Sequence, residues 1–140
     1  MKKLIILIVF VVLLAGCAQT NNWENEWRAV LNKTNEFFEH LLNLEYTKAK
    51  ACLVPYGPSY SKLDTWYNKV KSEGATTYAG CSYCWYEAKA YVEVYADYTA
   101  SIQHEPLRVC CSCPEGNRCN IYPEVSITKA IKQNGKWLLW

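Results

Sequence analysis

The cysteines are the residues of this chain best suited to chemistry. Seven of the eight lie beyond residue 50, and they include two C-x-x-C units, Cys81 with Cys84 and Cys110 with Cys113. A C-x-x-C turn can hold a metal ion through two thiolates, and two such units can complete a tetrahedral zinc or iron site. The same spacing occurs in thiol-disulfide exchange centres, which need a thiol of low pKa. The pattern therefore gives a metal site or a thiol-redox site as one alternative.

Structural disulfides are the alternative that we favour. The candidates are all seven cysteines beyond residue 50: Cys52, Cys81, Cys84, Cys110, Cys111, Cys113 and Cys119. Cys113 and Cys119 flank a short polar loop, so we expect them to face each other, with Cys111 and Cys119 as the competing pair. Cys52 could reach the first C-x-x-C unit. Because seven is odd, at least one thiol must stay free, pair with another chain or bind something.

The N-terminal segment indicates the compartment in which these cysteines reside. Lys2 and Lys3 precede an unbroken apolar run from 4 to 15, and Gly16 and Cys17 follow it. The run is shorter than the roughly 20 residues that a membrane-spanning helix needs, and its order is that of a secretory signal peptide. It resembles the lipobox of bacterial lipoproteins. The resemblance implies cleavage after Gly16, diacylglycerol on Cys17 and an acyl group such as palmitate on the new amine.

This resemblance divides the chain into residues 1–16 as the signal peptide, 17–22 as the lipidated cysteine with a short tether, and 23–140 as a single domain. It implies a domain in the cell envelope, anchored to a membrane through the acyl chains on Cys17, where oxidising conditions favour disulfides. Because Ala18 and not Asp follows the cysteine, it implies the outer membrane in a bacterium with two membranes. In a bacterium with one membrane it implies the outer face of the cell membrane.

The charge of the mature chain excludes one class of partner. Cleavage removes Lys2 and Lys3, which lowers the number of Lys and Arg from 15 to 13 and makes it equal to the 13 Asp and Glu. A neutral domain without a basic run lacks the positively charged surface that attracts the phosphates of nucleic acid. We therefore expect no nucleic-acid partner.

The pattern of apolar residues predicts helices first and strands second. Helical spacing predicts a helix over 23–44, a short helix that ends before Pro55 and a third helix that ends at Gly74. Strict alternation from 86 to 98 predicts one long half-buried strand. The remaining expectations are a turn at 104–106, strands at 107–111, 121–132 and 137–140, a cysteine-rich loop at 113–119, and a hairpin turn at 134–135. With the turn at 104–106, the two C-x-x-C units would lie far apart, which disfavours the metal alternative.

Helices followed by an antiparallel meander define an α+β domain. The chain resembles the nuclear-transport-factor-2-like, or cystatin-like, superfamily in its long first helix with Phe37 and Phe38, in the step at 43–49 into a short helix, and in its ending at 134–137. The resemblance implies N-terminal helices packed on a curved antiparallel sheet. The cysteine-rich segment 110–119 departs from the usual pattern.

The long predicted strand has one face of small apolar residues and one face with tyrosines. Tyr91, Glu93 and Tyr95 fall on the predicted outward face, and tyrosine is enriched at protein interfaces. These residues are candidates for a homodimer contact or for a contact with an envelope protein. A solvated sheet face with cross-strand pairs is the alternative.

No residue pattern indicates an active site. The two histidines, His40 and His104, do not have metal-ligand spacing, and the predicted inward face of the long strand carries only Tyr, Ala and Val. That face offers no general base. We therefore expect a domain that binds a ligand or a protein, without catalysis and without a cofactor. The alternative is a metal-binding or thiol-redox lipoprotein that uses the two C-x-x-C units.

Overall fold

Three helices precede seven antiparallel strands in the described part of the chain. The structure is a computed structural model that describes the backbone of residues 2–140 and the side chains of residues 22–74 and 78–140. The elements are α1 (Lys2–Leu42), α2 (Tyr46–Ala51), α3 (Pro58–Thr77), β1 (Tyr83–Glu87), β2 (Ala90–Val94), β3 (Thr99–His104), β4 (Leu107–Cys113), β5 (Gly116–Tyr122), β6 (Lys129–Gln133) and β7 (Lys136–Leu139). The predicted α+β class is confirmed. The signal peptide and the Cys17 side chain lie outside the described side chains, so the predicted domain boundaries stay predictions.

One face of α1 packs on the rest of the domain. Its buried apolar side chains recur at helical spacing, namely Val30, Phe37, Phe38 and Leu41. The Phe37 ring meets the edge of Trp66 on α3, with 6.1 Å between ring centroids. The helix ends two residues before the predicted position because Leu44 adopts a left-handed φ of 57°, and the Glu45 N–H then donates to the His40 carbonyl at 2.8 Å.

The strand predicted from 86 to 98 is divided into β1 and β2, and the chain turns at Tyr95–Tyr98. Asp97 Oδ1 accepts hydrogen bonds from the N–H of Thr99 at 3.0 Å and from its hydroxyl at 2.7 Å. Tyr98 adopts a φ of 58°. A local aspartate bond can close a turn without glycine. The turn predicted at 104–106 is therefore wrong, because that segment continues the returning strand.

A bend in the middle of this long hairpin divides it into two sheets. β2 pairs with β3 up to Ala90 and His104, and β1 pairs with β4 beyond the bend. At the bend the Glu105 N–H donates to the Lys89 carbonyl at 2.9 Å, and Pro106 has no N–H with which to continue the ladder. The resulting sheets have the strand orders β1-β4-β5 and β2-β3-β6-β7.

The segment predicted as a cysteine-rich loop is itself a hairpin of β4 and β5. Cys113 pairs with Gly116, so the connection shrinks to Pro114–Glu115. Gly116 has a φ of 113°, a conformation that only glycine adopts easily. The predicted Asn134–Gly135 turn between β6 and β7 is confirmed.

A buried carboxylate joins α1 to the β6–β7 edge of the larger sheet. Glu26 is 8% exposed, and its Oε2 accepts a hydrogen bond from Trp137 Nε1 at 2.7 Å. The Lys132 ammonium group donates to Oε1 of the same carboxylate. Burial acts to raise the pKa of Glu26, but the hydrogen bonds from Lys132 and Trp137 outweigh it and hold that pKa below its usual value.

We expect Glu26→Gln to lower the free energy of unfolding by about 1–3 kcal/mol near neutral pH, because it removes the charged acceptor of one buried and one partly buried hydrogen bond. The folded-state pKa of Glu26 lies below the unfolded value of about 4.3. The stabilisation from the ionised Glu26 carboxylate is therefore complete when the pH lies above the unfolded-state pKa. It is lost as the pH falls through the folded-state pKa. Urea unfolding of both proteins across this acid range measures the difference. Glu24→Gln, which removes an exposed partner of Arg28, is the control and should change stability by less than about 1 kcal/mol.

Candidate functional site: a disulfide-lined cleft

The strand register places six cysteines opposite one another. In the β1–β4 ladder Cys84 is the direct partner of Cys111, and in the β4–β5 ladder Cys110 is the direct partner of Cys119. Cys81 lies just before β1, next to the end of β4. The disulfides among the described residues are Cys81–Cys113, Cys84–Cys111 and Cys110–Cys119. The Cα atoms of each pair are 4.0 or 4.1 Å apart.

These pairs correct the pairings expected from sequence. Neither Cys113 nor Cys111 pairs with Cys119, and Cys52 pairs with neither cysteine of the first C-x-x-C unit. The physical reason is the position of the hairpin turn: a turn at Tyr95–Tyr98 brings the two C-x-x-C units onto neighbouring strands, whereas a turn at 104–106 would separate them. The members of the alternative metal set, Cys81, Cys84, Cys110 and Cys113, are all occupied by disulfides.

The alternation of side chains along β4 gives the disulfides two locations. Cys111 and Cys113 share the inner face with the core residue Val109, so two disulfides face the domain interior. Cys110 lies on the opposite face, where its disulfide to Cys119 ties β4 to β5. The disulfides thus join the neighbouring strands of the smaller sheet on both of its faces.

Cys52 is the free thiol among the described cysteines. It is 1% exposed and lies at the C-terminal end of α2, where its Sγ contacts the Lys48 carbonyl at 3.5 Å. Burial, followed by the nearby Glu36 carboxylate, raises the pKa of this thiol to about 11. At neutral pH the group is therefore protonated, which is the opposite of what a thiol-exchange centre needs.

A cleft of about 720 Å³ opens between the end of α1, α3 and the disulfide-linked strands β1 and β4. Its lining is mostly apolar and includes Leu42, Val70, Val109 and Cys84 of the inner disulfide Cys84–Cys111. The polar lining residues are Asn43, Lys71, Tyr78, Ser82 and Tyr83. A smaller groove next to it shares Leu42, Asn43, Tyr83 and Cys84 and adds Glu39.

Tyr78 holds the wall of the cleft in position. Its hydroxyl donates to the Val109 carbonyl at 2.9 Å, which joins the segment after α3 to β4. Burial, together with the neighbouring Tyr122, raises the pKa of Tyr78, so the phenol stays neutral. The group acts as a hydrogen-bond donor here and not as a base.

Neither histidine is among the residues that line the cleft. Phe38 packs against the His104 ring, with 5.2 Å between ring centroids. His104 Nε2 accepts a hydrogen bond from the Ile127 N–H at 2.9 Å, and its Nδ1 lies 2.6 Å from the Glu105 carbonyl. Both ring nitrogens of His104 are therefore used by backbone groups. His40 lies on α1 with its Nδ1 2.6 Å from Glu45.

The predicted outward face of β2 is exposed. Tyr91 is 68% exposed, and Glu93 and Tyr95 lie on the same side. The Tyr95 hydroxyl is hydrogen-bonded to Glu93 and to Ser101. A contact with a second copy or with an envelope protein at Tyr91, Glu93 and Tyr95 stays a prediction.

Sequence reasoning missed the cleft because its walls come from distant segments. Leu42, Val70 and Val109 meet only after α1, α3 and β4 pack together. The one local signal was Gly74, interpreted as the end of the third helix. Gly74 instead lies within α3 and lines the cleft, where the missing side chain leaves space.

Comparison with known proteins agrees with the N-terminal lipidation pattern and with the α+β fold. The family model of the prokaryotic membrane lipoprotein lipid attachment site matches residues 1–18. No curated protein matches the chain. Among the residues with described side chains, no helix is long and apolar enough to cross a membrane. The match to the family model shows that the chain carries a lipoprotein attachment site at its N-terminus, as the lipobox pattern predicts.

Two crystal structures have a similar fold. A proposed scytalone dehydratase from Novosphingobium aromaticivorans is 15% identical, with a TM-score of 0.51, and the alignment covers 87% of this chain and 83% of that one. A proposed dehydratase of the NTF2-like family from Streptomyces avermitilis is 11% identical, with a TM-score of 0.51, and the alignment covers 84% of this chain and 92% of that one. At these identities the likeness shows the fold alone. The domain has the nuclear-transport-factor-2-like fold.

We expect peptide mapping without reduction to recover the three disulfides, with Cys52 as a free thiol. A maleimide reagent should leave Cys52 unmodified in the native protein and modify it in denaturant, because the group is buried and protonated. Replacing the Cys84–Cys111 pair by two alanines should lower the free energy of unfolding by about 2–4 kcal/mol. A Cys113–Cys119 peptide in the map would contradict the strand register.

We expect Cys17→Ser to abolish lipid attachment, because this cysteine carries the thiol that the attachment site modifies. Radiolabelled palmitate incorporation and fractionation of cell membranes measure the outcome. Gln19→Ser, which changes a nearby residue and keeps the cysteine, is the control and should remain in the membrane fraction. A Cys17→Ser protein that is still labelled and still membrane-bound would contradict the anchor.

Proposed function

We propose that this protein is a lipid-anchored binding protein that holds a small, mostly apolar ligand in the disulfide-lined cleft and catalyses no reaction. The observation that carries the proposal is the cleft itself, with a volume of about 720 Å³ and an apolar lining that contains few polar groups. Ligand sites are commonly clefts of about 300–1,000 Å³ in which apolar walls supply affinity and a few polar groups orient the ligand. The cleft fits this description.

The polar lining favours a ligand with an anionic or acceptor group. Lys71 is the charged residue of the described lining, and Asn43 and Ser82 offer neutral hydrogen-bonding groups. None of the described residues that line the cleft is an acid, and Glu39 lines the adjoining groove. A carboxylate or similar group on the ligand would therefore pair with Lys71. An aromatic or aliphatic body with one acidic end is therefore the ligand class that we propose.

The absence of catalysis is supported by the chemistry of the described lining. It contains no histidine or carboxylate, and general acid–base catalysis depends mainly on those groups. Tyr78 stays neutral and bonded to the backbone, and the sulfur of Cys84 is in a disulfide. The dehydratase descriptions of the two structural neighbours therefore do not carry over to these residues.

The cleft lies at the C-terminal end of α1, and the anchoring Cys17 lies much earlier in the chain. Leu42, at the cleft, follows Trp23 by about 28 Å along the helix at about 1.5 Å per residue, and Cys17 precedes Trp23 by six residues. The ligand would therefore enter from the aqueous side of the envelope. In a bacterium with two membranes we propose anchoring in the outer membrane, and otherwise at the outer face of the cell membrane.

The exposed face of β2 supports a separate proposal about partners. Tyr91 is more exposed than Tyr95, and the Tyr95 hydroxyl already bonds Glu93 and Ser101. We propose that a homodimer or an envelope partner would be held chiefly through Tyr91, at the edge strand of the larger sheet.

We expect Gly74→Leu to fill the cleft and to weaken ligand binding. A Cβ at Gly74 meets only Tyr78, at 3.6 Å, so the added side chain extends into the cleft without a backbone clash. Equilibrium dialysis of the lipoprotein in nanodiscs against 2-naphthoate and uncharged 2-naphthol, with empty nanodiscs as the blank, measures affinity. Both compounds should bind Gly74→Leu at least about tenfold more weakly than the wild type, which is equivalent to about 1.4 kcal/mol.

Two further variants locate the binding event. Thr65→Leu adds the same side chain at an exposed position of α3 and should bind both compounds as the wild type does. Lys71→Gln should weaken binding of 2-naphthoate and leave 2-naphthol unchanged. Equal binding by the wild type and by Gly74→Leu would contradict the proposal.

A further inference from the structure

A thiol, an imidazole and a carboxylate meet where α1 turns into α2, and none of them lines the cleft. Glu36 and His40 are one turn apart on α1, which places them on the same face of the helix. Cys52 lies at the C-terminal end of α2 and faces them. One donor atom from each residue lies within 4.8 Å of the others. The cluster uses the one described cysteine that has no disulfide.

The separations suit a small tetrahedral metal ion. Zinc bonds of about 2.0–2.3 Å to oxygen, nitrogen and sulfur put neighbouring ligand atoms about 3.3–3.8 Å apart. His40 Nε2 and Glu36 Oε1 are already 3.7 Å apart. The Cys52 side chain is fixed by burial, whereas the Glu36 side chain is 45% exposed and can rotate. Closing the remaining distance therefore needs side-chain movement and no change in the backbone.

Residues around the cluster orient its ligands. Glu45 Oε2 lies 2.6 Å from His40 Nδ1, which leaves Nε2 for the side on which Glu36 and Cys52 lie. A carboxylate on the second nitrogen of a histidine is the usual outer support of a metal-bound imidazole. Lys48 holds the other oxygen of Glu45 at 2.6 Å. Lys33 bonds Glu36 Oε2 at 2.6 Å and leaves Oε1 toward His40.

We propose that Glu36, His40 and Cys52 form a zinc-binding site, with Glu45 as the positioning residue of His40. Sulfur, imidazole nitrogen and carboxylate oxygen are the three donor types that zinc accepts together. Because the Glu36 side chain is exposed, water would supply the fourth ligand. A bound ion would join α1 to α2, and through Cys52 to β7, because the Leu139 N–H donates to the Cys52 carbonyl at 2.9 Å.

Cobalt titration of the full lipidated chain in detergent micelles tests the site. Cobalt(II) replaces zinc, and a thiolate ligand produces a sulfur-to-cobalt charge-transfer band that oxygen and nitrogen ligands do not. We expect the band to saturate at one cobalt per chain and to disappear when zinc is added. Cys52→Ala should abolish the band. His40→Gln and Glu36→Gln should abolish it or weaken binding further than Glu45→Gln does.

The positioning role of Glu45 has its own readout. Glu45→Gln should keep the charge-transfer band and the stoichiometry but lower the affinity about 10–100-fold. Glu24→Gln, which removes an exposed carboxylate farther toward the N-terminus of α1, is the control and should bind cobalt as the wild type does.

Thermal unfolding separates a lost site from a lost fold. With EDTA each variant should melt cooperatively, and zinc should raise the melting temperature of the wild type but not that of His40→Gln, because an ion that binds only the folded state stabilises it. This comparison also applies if Cys52→Ala does not fold. The proposal is overturned if the wild type shows no charge-transfer band, if the band persists in Cys52→Ala, or if zinc stabilises His40→Gln equally.

Discussion

The register of one bent hairpin determines how the cysteines pair and how the strands divide into two sheets. β1 and β2 lead to the turn at Tyr95–Tyr98, and β3 and β4 then pair with them in the antiparallel direction. Every pairing that follows depends on the position of that turn, since a slip of one residue would move each side chain to the opposite face. The register places Cys84 opposite Cys111, and the bend at Pro106 separates the disulfide-linked sheet from the larger sheet that receives α1.

The two sheets are stabilised by different means. The larger sheet packs Ala100, Ile102 and Ala130 into the core with the helices and is joined to α1 by the buried Glu26 carboxylate. The smaller sheet has cysteines at many of the positions that would otherwise carry large apolar side chains. Disulfides there restrict the unfolded chain and replace part of the core that the sheet lacks. The disulfide Cys84–Cys111 can therefore border an open cleft without loosening the strands.

The helix α1 carries a different feature on each of three stretches. Near residue 22, where the described side chains begin, Glu26 holds the β6–β7 edge. On the next stretch, Glu36 and His40 face Cys52. At its end, Leu42 borders the cleft. A rigid helix separates these features by fixed distances. A ligand in the cleft and a metal ion bound by Glu36, His40 and Cys52 would therefore occupy separate sites along α1.

Local sequence was sufficient wherever a short stretch determines its own structure. The lipobox, the amphipathic first helix, the exposed side of β2 and the Asn134–Gly135 turn depend on neighbours within a few residues, and the sequence pattern predicts them. The position of the long hairpin turn required the tertiary structure, because Asp97 closes a turn without glycine while Pro106, a stronger local turn signal, lies at a bend. The disulfide pairing depends on that turn, and seven cysteines allow many pairings until the register is known. The cleft and the cluster of Glu36, His40 and Cys52 likewise combine residues from separate elements, and only packing brings such residues together.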